Sequence, residues 1–282
     1  MNILHTIKET REFLAQARRD EKTIGLVPTM GYFHEGHLSL MCEAKAQSDI
    51  VVVSLFVNPT QFGPNEDFKV YPRDLDRDAR MAESAGVDMI FNPSPEEMYP
   101  AGYHTYVDVE KLGEGLCGAS RAGHFRGVST VVLKLFNIVQ PDRAYFGLKD
   151  YQQLKIIGRM VQDLNVPVQV VPMPIFREAD GLAMSSRNVY LSPDERKAAL
   201  ILSKALAYAQ SLVDEGVTSV HELNLRIVEF ISQEPLSKID YVEIVDAETL
   251  ECPDKIEGNA VLALAVRIGK TRLIDNAVLV AG

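Results

Sequence analysis

At 282 residues, with 46% hydrophobic and 24% charged residues, the chain reads as an ordinary globular protein of one large domain or two unequal ones. Its 29 basic and 39 acidic residues give a formal charge of -10, which argues against a nucleic-acid surface, where Lys and Arg would cluster to neutralise phosphates. A small anionic substrate is still allowed, because a few local cations can hold one phosphate or carboxylate.

Cys42, Cys117 and Cys252 are far apart and show no C-x-x-C spacing, so reduced thiols in a cytoplasmic protein are expected. The first twenty residues carry Lys8, Glu9, Arg11, Glu12, Arg18, Arg19 and Asp20, with no apolar stretch that would make a signal peptide. Apolar runs such as Ile50–Val57 fall well short of the ~20 residues that span a bilayer. No membrane and no nucleic-acid partner is expected.

Through residue 175 short β-branched runs alternate with amphipathic segments. The pattern predicts, in chain order, a helix over Thr6–Arg19, a strand over Thr23–Pro28, a helix over His37–Gln47 and a strand over Ile50–Val57. It continues with a helix over Leu75–Ala85, strands over Val87–Phe91 and Thr105–Val109, and a helix over Gly127–Val139. A strand over Arg143–Phe146, a helix over Tyr151–Leu164 and a strand over Pro167–Val171 complete it. Nearly all-apolar strands alternating with helices imply a parallel sheet covered on both faces, with a ligand site at the strands' carboxyl ends. After the Pro172-Met-Pro174 hinge the chain reads as helices over Pro193–Glu215 and Ser219–Gln233, then strands over Ile239–Val245, Ala260–Val266 and Thr271–Asn276. The expected fold class is α/β: a parallel-sheet N-terminal domain, 1–175, and a smaller α+β domain, 176–282.

Five segments carry candidate chemistry. Pro28-Thr-Met-Gly-Tyr-Phe-His34-Glu-Gly-His37 ends the first expected strand and opens a helix. Its glycines allow close backbone approach, the helix start favours an anion, and two imidazoles three residues apart can donate to phosphate oxygens. Surface histidines on a loop fit the same residues. A metal pair is disfavoured by the spacing, and a dinucleotide loop by the lack of G-x-G-x-x-G. Strand, loop, H-x-G-H and helix together form the nucleotide signature of nucleotidyltransferases and class I aminoacyl-tRNA synthetases.

Ala183-Met-Ser185-Ser186-Arg187-Asn188 offers two hydroxyls and a guanidinium suited to a triphosphate, although ordinary loops share that composition. In Phe146-Gly147-Leu148-Lys149-Asp150-Tyr151-Gln152-Gln153, Lys149 suits a phosphate and Asp150 a ribose hydroxyl, or Asp150 only caps a helix. In Phe56-Val-Asn58-Pro59-Thr60-Gln61-Phe62 the amides can fix a hydroxy acid, or close an Asn-Pro turn. Gly118-Ala-Ser-Arg121-Ala-Gly-His124-Phe-Arg126-Gly127 is an anion loop or a solvated one.

The segments P-T-M-G-x-x-H-E-G-H, F-V-N-P-x-Q-F, Y-P-R, R-x-G-H-F-R-G-V, V-Q-P-D, G-x-K-D-Y-Q-Q and S-S-R-N run in the order seen in the pantothenate synthetase family, which the chain resembles from Val27 to Tyr190. Arg272-Leu-Ile-Asp-Asn276 extends the likeness to the end. The resemblance implies a Rossmann-like first domain, a second domain closing over the active site, a homodimer, and use of ATP and Mg²⁺ to join pantoate to β-alanine. It implies that Met30, Gly31, Tyr32, Phe33, His34, Glu35, Gly36 and His37 line ATP, with His37 the catalytic acid and His34 beside it. Gly147, Leu148, Lys149 and Asp150 and Met184, Ser185, Ser186 and Arg187 complete the nucleotide site, with Lys149 and Arg187 also catalytic, and the backbone of Phe176 meets adenine. Gln61 and Gln153, with Asn58, hold pantoate, and Gln61 also faces β-alanine. Leu148 stands where the family usually has a polar residue and Ala122 where it has Pro, which implies a main-chain role for the first and a looser loop at the second. Another cofactor-pathway nucleotidyltransferase would share the phosphate signatures without needing the two glutamines, and a non-catalytic nucleotide sensor would not need both histidines and the Ser-Ser-Arg loop.

Overall fold

A computed structural model describes residues 1–64 and 66–280 as two compact units. Of these described residues, the first unit takes those within 1–113, 121–148 and 153–174, and the second those within 114–120, 149–152 and 175–280.

In chain order the first stretch runs β1 (Asn2–Leu4), α1 (Ile7–Arg19), β2 (Ile24–Thr29), α2 (Glu35–Gln47), β3 (Ile50–Leu55), α3 (Leu75–Ser84), β4 (Met89–Phe91), α4 (Pro95–Met98), α5 (Cys117–Ser120), α6 (His124–Val139), β5 (Arg143–Gly147), α7 (Tyr151–Asp163) and β6 (Gln169–Met173). Single 3-10 turns sit at Pro59–Gln61, Asp67–Lys69 and Leu148–Asp150. Helix α1 starts where Thr6 and Glu9 form a reciprocal capping box, and it turns Leu14 and Ala17 inward. The strands are apolar on both faces: Leu26, Val27, Val51, Val52, Val53 and Ile90 have essentially no exposed surface.

All six strands are parallel, in the order β1-β4-β3-β2-β5-β6. From β2 the chain goes to β3 on one side, and β5 lies on the other, so the order reverses between β2 and β5. Such a switch point parts the flanking loops and makes a crevice at the strands' carboxyl ends. The ladder between β2 and β5 pairs only Gly25 with Arg143 and Leu26 with Ala144, whereas β2 follows β3 through Thr29. Pro28, which has no N–H to give, therefore lies beyond the β5 ladder, where a proline in an interior strand is tolerated.

One expectation for this unit needs correction, and one strand was not expected. Thr105–Val109 is not a strand: the Val107 amide donates to the Thr130 hydroxyl at 2.9 Å, and Tyr106 lies exposed with the Arg126 guanidinium 4.2 Å from its ring centre. The short β1, unforeseen, fills the sheet edge by pairing Asn2–Leu4 with Met89–Phe91.

The second unit carries a 3-10 turn at Ser186–Tyr190, then α8 (Pro193–Ala198), α9 (Ile201–Asp214), α10 (Val220–Ser232), β7 (Ser237–Asp246), β8 (Asn259–Ile268) and β9 (Thr271–Val280). The strands form an antiparallel sheet, β7-β8-β9, whose Leu262, Leu264, Val266 and Leu279 pack with Leu202, Leu206, Leu223, Ile227 and Ile231 of the helices. The single helix expected over Pro193–Glu215 is two. Ala199 and Leu200 keep right-handed dihedrals, but the bonds there close on the third residue, as in Leu200 N–H to Lys197 O and Leu202 N–H to Ala199 O, each 3.3 Å. Among the described residues no helix is long and apolar enough to cross a membrane.

Candidate functional site

The loop after β2 turns back through two left-handed residues, Gly31 (φ +90°) and Tyr32 (φ +54°). A Cβ at Gly31 would stand 3.1 Å from an Asp78 carboxylate oxygen and from Leu55 Cδ2, so the position admits little but glycine. His34 is the N-cap residue of α2, with extended dihedrals, and the helix starts at Glu35, two residues earlier than expected. His37 thus sits in the first turn, its amide donating to the His34 carbonyl at 2.8 Å. The two imidazoles stack, centroids 4.0 Å apart at 30°, with the Phe33 ring 5.6 Å from that of His37. Both rings are half-buried at the positive end of the helix dipole.

The residues that hold this loop lie far from it in sequence. The fully buried Asp78, on α3, accepts the Tyr32 amide at 2.6 Å and the Phe33 amide at 2.7 Å. Its neighbour Arg77 donates to the Phe33 carbonyl at 2.8 Å and lays its guanidinium 4.8 Å from the Tyr32 ring centre. Burial pushes the Asp78 carboxyl above its usual range, against the pull of the Phe33 and Tyr32 amides and the Arg77 charge. No local sequence signal marks a carboxylate 46 residues from the amide it receives.

The segment after β3 is fixed by Asn58. Buried at the cap of the Pro59–Gln61 turn, its Oδ1 accepts from the Thr60 hydroxyl at 2.9 Å and the Tyr99 hydroxyl at 2.8 Å. Its Nδ2 donates to Gln61 Oε1 and to the Gly127 carbonyl, each at 3.1 Å. Gln61 Nε2 then points at the Met30 sulfur, 3.2 Å away, which brings the residue expected to hold pantoate beside the first residue of the histidine loop. Burial pushes the Tyr99 hydroxyl up to about 12, so it stays a donor to Asn58.

Arg121 and His124 meet an anion from the protein itself. Arg121 forms a fork on Glu66, both contacts 2.7 Å, and reaches His124 Nε2 at 2.9 Å, while His124 Nδ1 lies 2.8 Å from the Gln61 carbonyl. Burial alone would raise the Glu66 carboxyl, but the Arg121 guanidinium holds it below the usual range. This cluster and Asn58 grip Gln61 from its main chain and its side chain.

In the first unit Gly147 ends β5, and Gln153 is half-buried on α7. The Leu148–Asp150 turn leads into α7, with Asp150 exposed. Within the second unit the Lys149 carbonyl accepts from Asn276 Nδ2 at 2.9 Å. Gln152, next to Gln153, serves structure: it accepts the Cys117 amide at 3.0 Å and donates to the Gly115 carbonyl at 2.8 Å. Phe176 is exposed, and its carbonyl accepts the Met184 amide at 2.9 Å. Ser185 caps the following 3-10 turn by accepting the Arg187 amide at 3.3 Å; Ser186 is buried, and Met184 and Arg187 are half-buried. Among the described residues no group of three or more His, Cys, Asp or Glu could hold a metal ion.

The model of the pantoate-beta-alanine ligase family matches residues 2–278. The pantothenate synthetase of Heliobacterium modesticaldum is 62% identical over 278 residues, and that of Pelotomaculum thermopropionicum 60% over 279, each match covering 99% of both chains. Among solved structures, the pantothenate synthetase of Thermus thermophilus superposes with a TM-score of 0.93 at 48% identity, covering 98% of this chain and 99% of that one. The pantoate-beta-alanine ligase of Francisella tularensis, solved in complex with beta-gamma ATP and beta-alanine, superposes with a TM-score of 0.82 at 35% identity, covering 98% and 97%.

Proposed function

The chain belongs to the pantoate-beta-alanine ligase family, and from that premise we propose that it condenses (R)-pantoate with β-alanine by way of a pantoyl-adenylate. A carboxylate acylates an amine poorly because oxide would have to leave. Attack of a pantoate carboxylate oxygen on the α-phosphorus of ATP forms the acyl–phosphate bond, and the bond to the β-phosphate breaks to release diphosphate. The β-alanine nitrogen then attacks the acyl carbon, loses a proton, and AMP departs with the bonding pair.

Both steps ask the protein to align anions and to neutralise charge that grows on phosphate oxygens. The observation that carries the reading is the His34–His37 stack at the N-terminus of α2, which follows the central strand β2 through a loop whose Met30 meets the Gln61 amide. We assign Met30–His37 to ATP, with His37 as the acid that meets charge as diphosphate leaves and His34 beside it. Gly147–Asp150, the Phe176 backbone and Met184–Arg187 complete the nucleotide set, with Lys149 and Arg187 supplying fixed charge. Gln61 and Gln153 hold pantoate, Gln61 also faces β-alanine, and Asn58 serves by setting the Gln61 amide. Mg²⁺ is part of the same proposal: bound with the triphosphate, it would add charge neutralisation beside Lys149 and Arg187. A cytoplasmic location, supported by three unpaired cysteines, and a homodimer belong to the same proposal.

Isotope exchange between diphosphate and ATP tests it. Exchange should need pantoate and not β-alanine, and the full reaction should yield AMP and diphosphate. ADP and inorganic phosphate as products would overturn it.

A further inference from the structure

Two adjacent buried residues of β9, Asp275 and Asn276, have no task in the chemistry above. Buried polar side chains cost free energy unless hydrogen-bonded, and each of these reaches a different loop. Asp275 takes a fork from Arg177, Nη1 at 2.7 Å and Nη2 at 2.9 Å. That Nη1 also donates to the Gly181 carbonyl at 3.0 Å, and Arg177 bridges antiparallel to Ala183. The Met184 amide to the Phe176 carbonyl (2.9 Å) and the Glu178 amide to the Leu182 carbonyl (2.8 Å) close the same hairpin. Asp275 thus anchors the base of the hairpin that delivers Met184–Arg187. Asn276 reaches the other way: its Nδ2 donates to the Lys149 carbonyl at 2.9 Å, while its own amide donates to Asp275 Oδ1 at 2.9 Å. Successive side chains leave a strand on opposite faces, so β9 stands between the two segments as a rigid spacer.

We propose that Asp275 and Asn276 are positioning residues for the nucleotide phosphates: together they set the separation of Lys149 from the Ser185–Arg187 turn. The inference rests on the assignment of those two segments to ATP. Asp275 is buried and Arg177 partly exposed; ion pairs with a buried member are often replaceable by apolar residues without loss of stability, which leaves the geometry the pair fixes as its proposed role.

The test compares Asn276→Ala, and the double variant Arg177→Met/Asp275→Leu, with the wild type. Thermal melting, pantoate-dependent exchange and steady-state kinetics against each substrate are measured. In both variants the apparent KM for ATP should rise about tenfold, the loss expected for a displaced phosphate ligand. The KM for pantoate should stay within about twofold, and the double variant should keep a cooperative melt, lowered because the Asn276 amide and the Gly181 carbonyl lose these partners. Wild-type KM for ATP in a folded variant of either kind overturns the inference. So does a parallel rise in both KM values that tracks a fall in melting temperature, because that is loss of fold. Should Asn276→Ala fail to fold, the double variant decides. A wild type without pantoate-dependent exchange would instead sink the functional assignment itself, a separate and earlier result.

Discussion

Asn58 Nδ2 donates to Gln61 Oε1 at 3.1 Å, and this bond orients the Gln61 amide. An unsupported glutamine would present oxygen or nitrogen with little preference. Here the oxygen is engaged and the Nε2 group lies toward Met30, so Gln61 is set as a donor.

Truncating Gln61 to Ala should therefore raise the KM for pantoate by the equivalent of about 1–3 kcal/mol, with ATP binding measured without pantoate nearly unchanged. Asn58→Ala should weaken pantoate in the same direction and also lower the melting temperature, since it removes the oxygen to which the Tyr99 and Thr60 hydroxyls donate and the amide that reaches the Gly127 carbonyl. Kinetics against pantoate and calorimetry with ATP separate the effects. Equal weakening toward both ligands would refute the division of labour.

For His37 the expected signature is kinetic. A donor that meets charge only as diphosphate leaves acts on the transition state, so His37→Ala should lower kcat on the order of 10²–10³-fold and change the KM for ATP less. A kcat near the wild-type value would make the residue structural.

Asp78 acts through the backbone. Asp78→Ala leaves two loop amides, those of Tyr32 and Phe33, without their acceptor. The variant should lose about 1–3 kcal/mol of stability for a buried donor left unpaired, and kcat/KM for ATP should fall with it. Denaturant unfolding and kinetics on the same preparation check both parts; unaltered kinetics would remove Asp78 from the support of the histidine loop.

The Glu66–Arg121 pair predicts a pH dependence. A carboxyl held below its ordinary 4.5 stabilises the fold at pH values above 4.5, and that contribution is lost as pH falls through the depressed folded value. Glu66→Gln should be less stable than wild type by about 1 kcal/mol near neutrality, a modest figure because the pair is partly solvated. The gap should close in acid. A gap independent of pH would assign the loss to packing.

Much of the architecture could be read from periodicity. The apolar runs at Thr23–Pro28 and Ile50–Val57 became β2 and β3, and the capped, amphipathic stretch after Thr6 became α1. Thr105–Val109 has strand composition but no strand neighbour, since pairing is decided by where the chain goes and not by local residue type. Strand β1 is too short to show a period and exists because Met89–Phe91 offers it an edge. At the candidate site the glycines and histidines were legible, since their spacing is local. The residues that hold the site segments were not: Asp78, Glu66, Tyr99 and Arg177 meet partners dozens of positions away, and nothing in a linear reading links a carboxylate to the amide it will meet.

The contact between α6 and the Pro59–Gln61 turn has a bearing on mutational scans. A Cβ at Gly127 would lie 2.6 Å from the Thr60 carbonyl carbon and 2.8 Å from the Gln61 nitrogen, both main-chain atoms that cannot swing aside. Every substitution there must push the turn away from the helix and carry the Gln61 amide with it. In a growth-based screen for the vitamin this family makes, position 127 will score as intolerantly as a residue that touches substrate. Its tolerance profile will differ from that of Gln61 in one respect: side-chain size, down to alanine, will predict the damage, and polarity will not.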